Sequence, residues 1–266
     1  MNNGGAIGLF DSGIGGLTVF REVNRILPDE SVIYYGDTAH VPYGSRSVEE
    51  LIYFAGRIVA YLVEQKVKYI IFACNTSSAL SLPVLKRIYS LPMMGLVQPG
   101  AAEALRLTRN RRISVIATEV TIKTKAYEET LKALDGSVEV VSRATPRLVP
   151  LVETGDMDTQ AASAVVRESL SPLRGAGTDT LILGCTHYPF LAGLIAAEMG
   201  PEVRLVDPAE ATVRLAAKEM AGLELRTAGG AAPAHRFAVS GDPEAFREKA
   251  RLFMGRDIGP VARVVL

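Results

Sequence analysis

Only two cysteines occur in the chain, and both close the same kind of apolar run. One run reads Tyr69-Ile-Ile-Phe-Ala-Cys74-Asn75-Thr76, the other Thr180-Leu-Ile-Leu-Gly-Cys185-Thr186-His187. Each thiol stands where strand-forming residues give way to polar ones. In an open α/β sheet the carboxyl ends of strands are where ligands bind. A single buried cysteine is ordinarily a small core hydrophobe. Two in matching settings, with none elsewhere, point instead to a pair of acid/base groups. The thiolate is the working base, and donors at a helix N-terminus lower its pKa. An ordinary thiol, at ~8.5, already titrates close to working pH.

Further candidates gather at other strand ends. Asp11-Ser12-Gly13-Ile14-Gly15-Gly16 follows the first apolar run, and its glycine amides suit a carboxylate or a phosphate. Thr18 occupies the third glycine position of a dinucleotide fingerprint, so that reading is superficial. A tight turn with Ser12 as helix cap is the plainer alternative. Asp37-Thr38-Ala39-His40-Val41-Pro42-Tyr43-Gly44 follows the second run, as turn chemistry or as a cleft wall. Glu153 precedes a glycine stop, and His187 lies two residues from a thiol whose protons it could tune or shuttle. With two cysteines and three histidines (His40, His187, His235), no structural-zinc spacing exists, and no metal is expected. No Cys-x-x-Cys redox spacing exists either, and a reducing compartment argues against a disulfide.

The elements that must position these residues repeat. Cys185 follows Cys74 by 111 positions, and Leu205-Val-Asp-Pro follows Leu96-Val-Gln-Pro by 109. Upstream, Ile7-Gly-Leu-Phe-Asp11-Ser12 parallels Ile113-Ser-Val-Ile-Ala-Thr118-Glu119, and Ser31-Val-Ile-Tyr-Tyr-Gly36-Asp37 parallels Ser137-Val-Glu-Val-Val-Ser142-Arg143. Four β-rich runs therefore recur in one order. Between them, Gly16–Ile26 places Leu17, Phe20, Val23 and Leu27 on one helical face before Pro28. Ser47–Glu64 carries Leu51, Phe54, Ile58 and Leu62 behind a Ser47/Glu50 capping box. Thr121–Leu134 and Thr159–Leu173 read as helices in the second half. Alternating strands and helices imply parallel sheets with right-handed crossovers. The fold class expected is α/β, as two tandem duplicated units near Ala6–Val97 and Gln98–Val206. A helix near Ala209–Met220, a strand near Phe237–Ser240, a helix near Glu244–Met254 and a strand at Val261–Leu266 follow. This tail is expected to pack back on the first unit, giving domains 1–97 plus 208–266 and 98–207. Ala228–Ala234 reads as a loop. Two facing strand ends, one thiol from each, suit a reaction that removes a proton from one face of a carbon and delivers another to the opposite face.

Bulk composition narrows the classes. Lysine plus arginine equals aspartate plus glutamate at 29 each, so no basic nucleic-acid surface is signalled. The opening residues lack the pattern of a secretory signal, and no apolar run approaches the ~18–20 residues of a membrane span. A cytoplasmic protein acting on a small molecule is the expectation, with no membrane or nucleic-acid partner. A homodimer stays open.

Taken together, Phe10-Asp-Ser-Gly-Ile-Gly-Gly-Leu17, Tyr35-Gly-Asp-Thr-Ala-His-Val-Pro-Tyr-Gly44, Ala73-Cys-Asn-Thr76, Leu148-Val-Pro-Leu-Val-Glu153 and Leu183-Gly-Cys-Thr-His-Tyr-Pro189 resemble the aspartate/glutamate racemase family. Within it, they resemble the glutamate racemases that make D-glutamate for peptidoglycan. The pieces occur in family order and reach to about Asp207. The resemblance implies two α/β domains around the active site and no cofactor. Cys74 and Cys185 would be the acid/bases, with L- and D-glutamate as substrates. Asp11 and His187 would assist them, and Asp37 and Glu153 would have lesser roles. Substrate contacts would come from Asp11, Ser12, Tyr43, Gly44, Asn75, Thr76, Thr118, Thr186 and His187. The chain departs from the family's usual residues at His40 (often arginine), Ala117 (commonly glycine) and Thr145 (commonly cysteine). An aspartate racemase is the near alternative, because two thiols do not set side-chain length. A non-catalytic amino-acid-binding protein is the more distant one, and would not need paired thiols.

Overall fold

Apolar runs of a few residues, each followed by an amphipathic segment, bury themselves when strands pair in parallel and helices cover both faces. In the computed structural model, which describes residues 5–157, 159–229 and 232–266, the runs form ten strands. They are β1 Ile7–Asp11, β2 Val32–Gly36, β3 Tyr69–Phe72, β4 Met93–Gly95, β5 Arg112–Ala117, β6 Glu139–Ala144, β7 Thr180–Gly184, β8 Arg204–Val206, β9 Arg236–Val239 and β10 Val261–Arg263. One sheet runs β10-β9-β2-β1-β3-β4 and the other β6-β5-β7-β8. Every pairing is parallel. The order β2-β1-β3-β4 is thus repeated as β6-β5-β7-β8, so the duplication in the sequence is a duplication of topology. In both sheets strand order reverses at the centre, between β1 and β3 and between β5 and β7. That is where ligands bind in such sheets.

The second core contains Ile113, Val115, Tyr127, Leu131 and Ile182, and the helix Val97–Leu107 adds Val97, Ala101 and Ala104 to it. The helix Pro208–Gly222 sends Ala209, Val213, Ala216 and Met220 back into the first core beside Leu9, Phe20 and Tyr34. The strands β9 and β10 extend the first sheet beyond β2. Among the described residues, no helix is long and apolar enough to cross a membrane.

Local expectations divide instructively. The capping box forms: Glu50 N donates to Ser47 Oγ at 3.2 Å and Ser47 N to Glu50 Oε2 at 3.0 Å. The segment Thr121–Leu134 is not one helix. It splits into Glu119–Lys123 and Ala126–Leu134, because Thr118 caps the first piece and Lys125 adopts a left-handed φ of 55°. Thr159 caps a helix ending at Leu170, and Ser171–Leu173 tightens into a 3₁₀ turn at Pro172. The run Leu96–Ala101, taken as β-rich, lies past β4 and opens a helix, with Pro99 in its first turn, where no intrahelical donor is lost. The last strand stops at Arg263, although Val264 N still donates to Val239 O. Gly230 and Ala231 of the expected 228–234 loop lie outside the described residues; Ala228, Gly229 and 232–234 carry no helix or strand.

Candidate active site

Cys74 stands two residues beyond β3 and Cys185 immediately beyond β7. Both are buried, unpaired by disulfide, and line a single cavity of about 140 Å³. Ser12, Tyr43, Gly44, Asn75, Thr76, Thr118, Thr186 and His187 share its wall. Ser12 and Thr118 occupy corresponding positions after β1 and β5, so each half contributes a hydroxyl and a thiol from its two central strands. Ser12 does not cap the helix Leu17–Ile26, whose N-cap position is held by Gly16. It instead meets Cys74, whose Sγ lies 3.9 Å from Ser12 Oγ.

Asp11, Asp37 and Glu153 lie behind this wall. Asp11, at the end of β1, is fully buried; its Oδ2 accepts from Gly13 N at 3.0 Å and Gly16 N at 2.9 Å. Its Oδ1 faces Thr186 Oγ1 across the two halves at 3.4 Å. Gly16 is required for this approach, since a Cβ there would sit 2.6 Å from Asp11 Cβ. Asp37 accepts from Tyr43 Oη at 2.6 Å and Ser240 Oγ at 2.8 Å, and its Oδ1 lies 2.8 Å from His40 Nδ1. It therefore aims the tyrosine that lines the cavity. His40 also stacks on Phe54, with ring centres 4.0 Å apart.

Glu153, on the helix Leu148–Thr154, is held between two cations. His187 Nε2 is 2.9 Å from its Oε1, and Lys249 Nζ is 2.7 Å from its Oε2. The glycine stop also exists, with Gly155 at a left-handed φ of 83°. His187 Nδ1 lies 3.7 Å from Cys185 Sγ. Burial pulls the imidazole down, but Cys185, Glu153 and Asp11 outweigh it and raise His187 to about 10. Burial likewise pushes Glu153 up, and is outweighed by His187 and Lys249, which bring it to about 2. His187 is accordingly an imidazolium at neutral pH, paired with a carboxylate.

Burial, then the Asp11 carboxylate, push Cys74 up to about 12, against the downward pull of Ser77 N–H. The expectation of an ordinary thiol value near working pH does not hold there. Cys74 occupies the N-cap position of the short helix Asn75–Leu80, but desolvation outweighs the donors of its first turn.

Hydroxyls and one amide complete the cavity. Thr76, Thr118 and Thr121 form a triangle of Oγ1 contacts at 3.0–3.1 Å that joins the two halves. Tyr127 Oη donates to Asn75 Oδ1 at 2.6 Å, leaving Asn75 Nδ2 buried with no acceptor among the described residues. Thr145 is buried and donates to Tyr188 Oη at 2.7 Å. Sequence reasoning missed Lys249, Thr121 and Tyr127, together with the apolar lining of Val41, Pro146, Val149 and Pro150. Val149 and Pro150 lie inside the segment read for Glu153, so their neighbourhood was visible. Lys249, 96 positions from Glu153, carries no local signal.

Two buried thiols at corresponding strand ends thus line one small cavity of mixed polar and apolar wall, with a buried histidine 3.7 Å from the second sulfur. The chain belongs to the Asp/Glu/Hydantoin racemase family, whose model matches residues 7–216, and it is an isomerase acting as an amino-acid racemase. Within that family it falls among the glutamate racemases. It is 54% identical to the glutamate racemase of Desulforudis audaxviator, covering 98% of each chain. It is 45% identical to that of Geobacter metallireducens, covering 98% of this chain and 97% of the relative. The crystal structure of the Bacillus anthracis glutamate racemase isoform RacE1 superposes with a TM-score of 0.94 at 37% identity, covering 99% and 98%. The Francisella tularensis glutamate racemase, solved in complex with D-glutamate, superposes at 0.92 and 32% identity, covering 98% of both chains.

Proposed function

We propose that this chain interconverts L- and D-glutamate with Cys74 and Cys185 as the two acid/bases, needs no cofactor, and supplies D-glutamate for peptidoglycan. The observation that carries this reading is the pair of thiols, one from each repeat, on one cavity wall. The D-glutamate complex of the Francisella relative supports the substrate. The two halves, 1–97 with 208–266 and 98–207, are read as domains that bring one thiol each.

In the L-to-D direction the Cys185 thiolate takes the Cα proton. The C–H bond breaks, an S–H bond forms, and the electron pair spreads into the α-carboxylate. The Cys74 thiol then gives its proton to the opposite face and is left as thiolate. The reverse direction exchanges the roles. Cys74 already stands as the thiol, kept so by burial and Asp11. His187, as imidazolium, places a donor beside the sulfur that must carry charge. Ser12, Thr76, Thr186 and Asn75 Nδ2, which has no acceptor among the described residues, are the donors for the carboxylate as charge develops on it.

The test is racemisation in heavy water without added pyridoxal phosphate and after chelation. Starting from L-glutamate, early D-glutamate is expected to carry deuterium at Cα while recovered L-glutamate carries little. Cys74→Ser and Cys185→Ser should nearly abolish turnover. Rapid deuterium gain in recovered L-glutamate, or a fully active serine variant, refutes two thiols. Both aspartates run in parallel decide the competing substrate.

A further inference from the structure

The helix Pro243–Met254 belongs to the first sheet, where Phe246 and Ala250 are buried in the core. Two of its residues reach instead to the half that carries Cys185. Lys249 and Phe253 are four apart and so share a flank of the helix. Phe253 packs on Phe190 with ring centres 4.3 Å apart. Lys249 Nζ donates to Glu153 Oε2 at 2.7 Å. The other Glu153 oxygen lies 2.9 Å from His187 Nε2, and His187 Nδ1 lies 3.7 Å from Cys185 Sγ. A line of contacts thus runs from the tail helix of one half to the thiol of the other.

Resting on the two-thiol reading above, we propose that Lys249 is a positioning residue for the Cys185 step, holding one oxygen of Glu153 so that the other stays aimed at His187. A carboxylate with a single partner can turn about its last bond; a second charge-assisted bond sets its plane. Lys249 is 43% exposed and Glu153 21%, so water screens the pair and its direct contribution to stability is small. A large effect on turnover would therefore come through geometry. The line ends at Cys185 and not at Cys74, so the larger effect falls on one of the two proton transfers.

The experiment compares Lys249→Met, Lys249→Arg and Phe253→Leu with the unmodified protein. It measures kcat and KM in both directions, thermal unfolding, and primary isotope effects with α-deuterated L- and D-glutamate. Lys249→Met should lower kcat by roughly tenfold, the size expected for one lost charge-assisted bond, with KM and unfolding nearly unchanged. Because the Cys185 transfer becomes slower than its partner, the isotope effect should rise from L-glutamate and fall from D-glutamate. Lys249→Arg should restore most of the rate. Phe253→Leu, which loosens only packing, should lower the unfolding temperature without changing the balance of isotope effects. Lys249→Met within twofold of the unmodified rate, isotope effects that move together, or no rescue by arginine would each overturn the proposal. If the unmodified protein fails to racemise glutamate, the two-thiol reading falls and takes this inference with it. If it racemises with the heavy-water signature while Lys249→Met stays silent, this inference alone falls.

Discussion

Gly15→Ala tests whether the loop of one half sets the position of the imidazole in the other. The backbone at Gly15 is not left-handed, so alanine meets no conformational penalty and the cost is steric. A Cβ there would lie 2.6 Å from Thr186 Oγ1, 2.7 Å from His187 Nδ1 and 2.9 Å from His187 Cε1. Ordinary carbon contacts begin near ~3.5 Å, so neighbours must yield by roughly 0.8 Å. Neither neighbour is a free end. His187 is held between Glu153 and Cys185, and Thr186 is buried against Asp11. Overpacking of this kind costs about 1–3 kcal/mol. At about 2–4 °C per kcal/mol for a chain near this size, the unfolding temperature should fall by about 2–12 °C. Activity should suffer more, because a displacement approaching 1 Å in a proton-transfer site costs roughly 100-fold in kcat. Gly193→Ala is the control: it lies in the helix Ala192–Met199, with nothing within 4 Å of its Cβ, and should keep full activity. The assay is glutamate racemisation followed by circular dichroism, beside thermal unfolding of both variants. A Gly15→Ala protein that loses stability as expected yet keeps kcat within threefold would refute the reasoning.

The pH dependence of stability has two limbs. His187 is raised, so its stabilising contribution is complete below about 6.5 and is lost as pH climbs through about 10; Glu153 is lowered, so its contribution is complete above about 4.5 and is lost as pH falls through about 2. Urea midpoints should be highest between these limits, and His187→Asn should flatten the alkaline limb; an unchanged alkaline slope would contradict the imidazolium assignment. Tyr43→Phe removes the 2.6 Å bond to Asp37 and should destabilise by about 1–3 kcal/mol while raising KM for glutamate, since Tyr43 lines the cavity. Loss of stability with unchanged KM would confine Tyr43 to a structural role.

What could be read from the sequence was whatever leaves a local trace. A strand end is visible because its apolar run stops, so Asp11, Cys74 and Cys185 could be placed at an edge before any coordinates. The repeat was visible because the same order of runs recurs. Contacts between segments remote in sequence leave no such trace. Asp37 was correctly put at the sheet edge, yet its carboxylate is taken up by Tyr43, His40 and Ser240, the last 203 positions away. Lys249 was invisible because its reach to Glu153 depends on how the tail helix lies against the other half. The upward push on Cys74 depends on burial and on Asp11, which short-range motifs do not encode. The break at Lys125 was missed because the helical pattern on either side continues across a single left-handed residue.

The duplication repeats the backbone and leaves the side chains unequal, and on the proposed mechanism that inequality is needed. Ile7 corresponds to Ile113, so Asp11 corresponds to Ala117: one strand end bears a carboxylate and the other a methyl. After the thiols, Asn75-Thr76 answers Thr186-His187, and an imidazole follows only the second. Racemisation asks for two groups on opposite faces of one carbon, which two copies of one topology provide. It also asks that one thiol be protonated while the other is not, which two identical copies would not favour. Burial and Asp11 disfavour charge on Cys74, whereas the sulfur of Cys185 has the His187 ring 3.7 Å away. When the protons exchange, Cys74 enters the state that burial and Asp11 disfavour. That imbalance is limited because Asp11 and His187 also attract one another across the cleft, so each offsets part of the other's field. Removing either charge should therefore disturb both thiols, and the larger disturbance should fall on the sulfur nearest the charge that was lost.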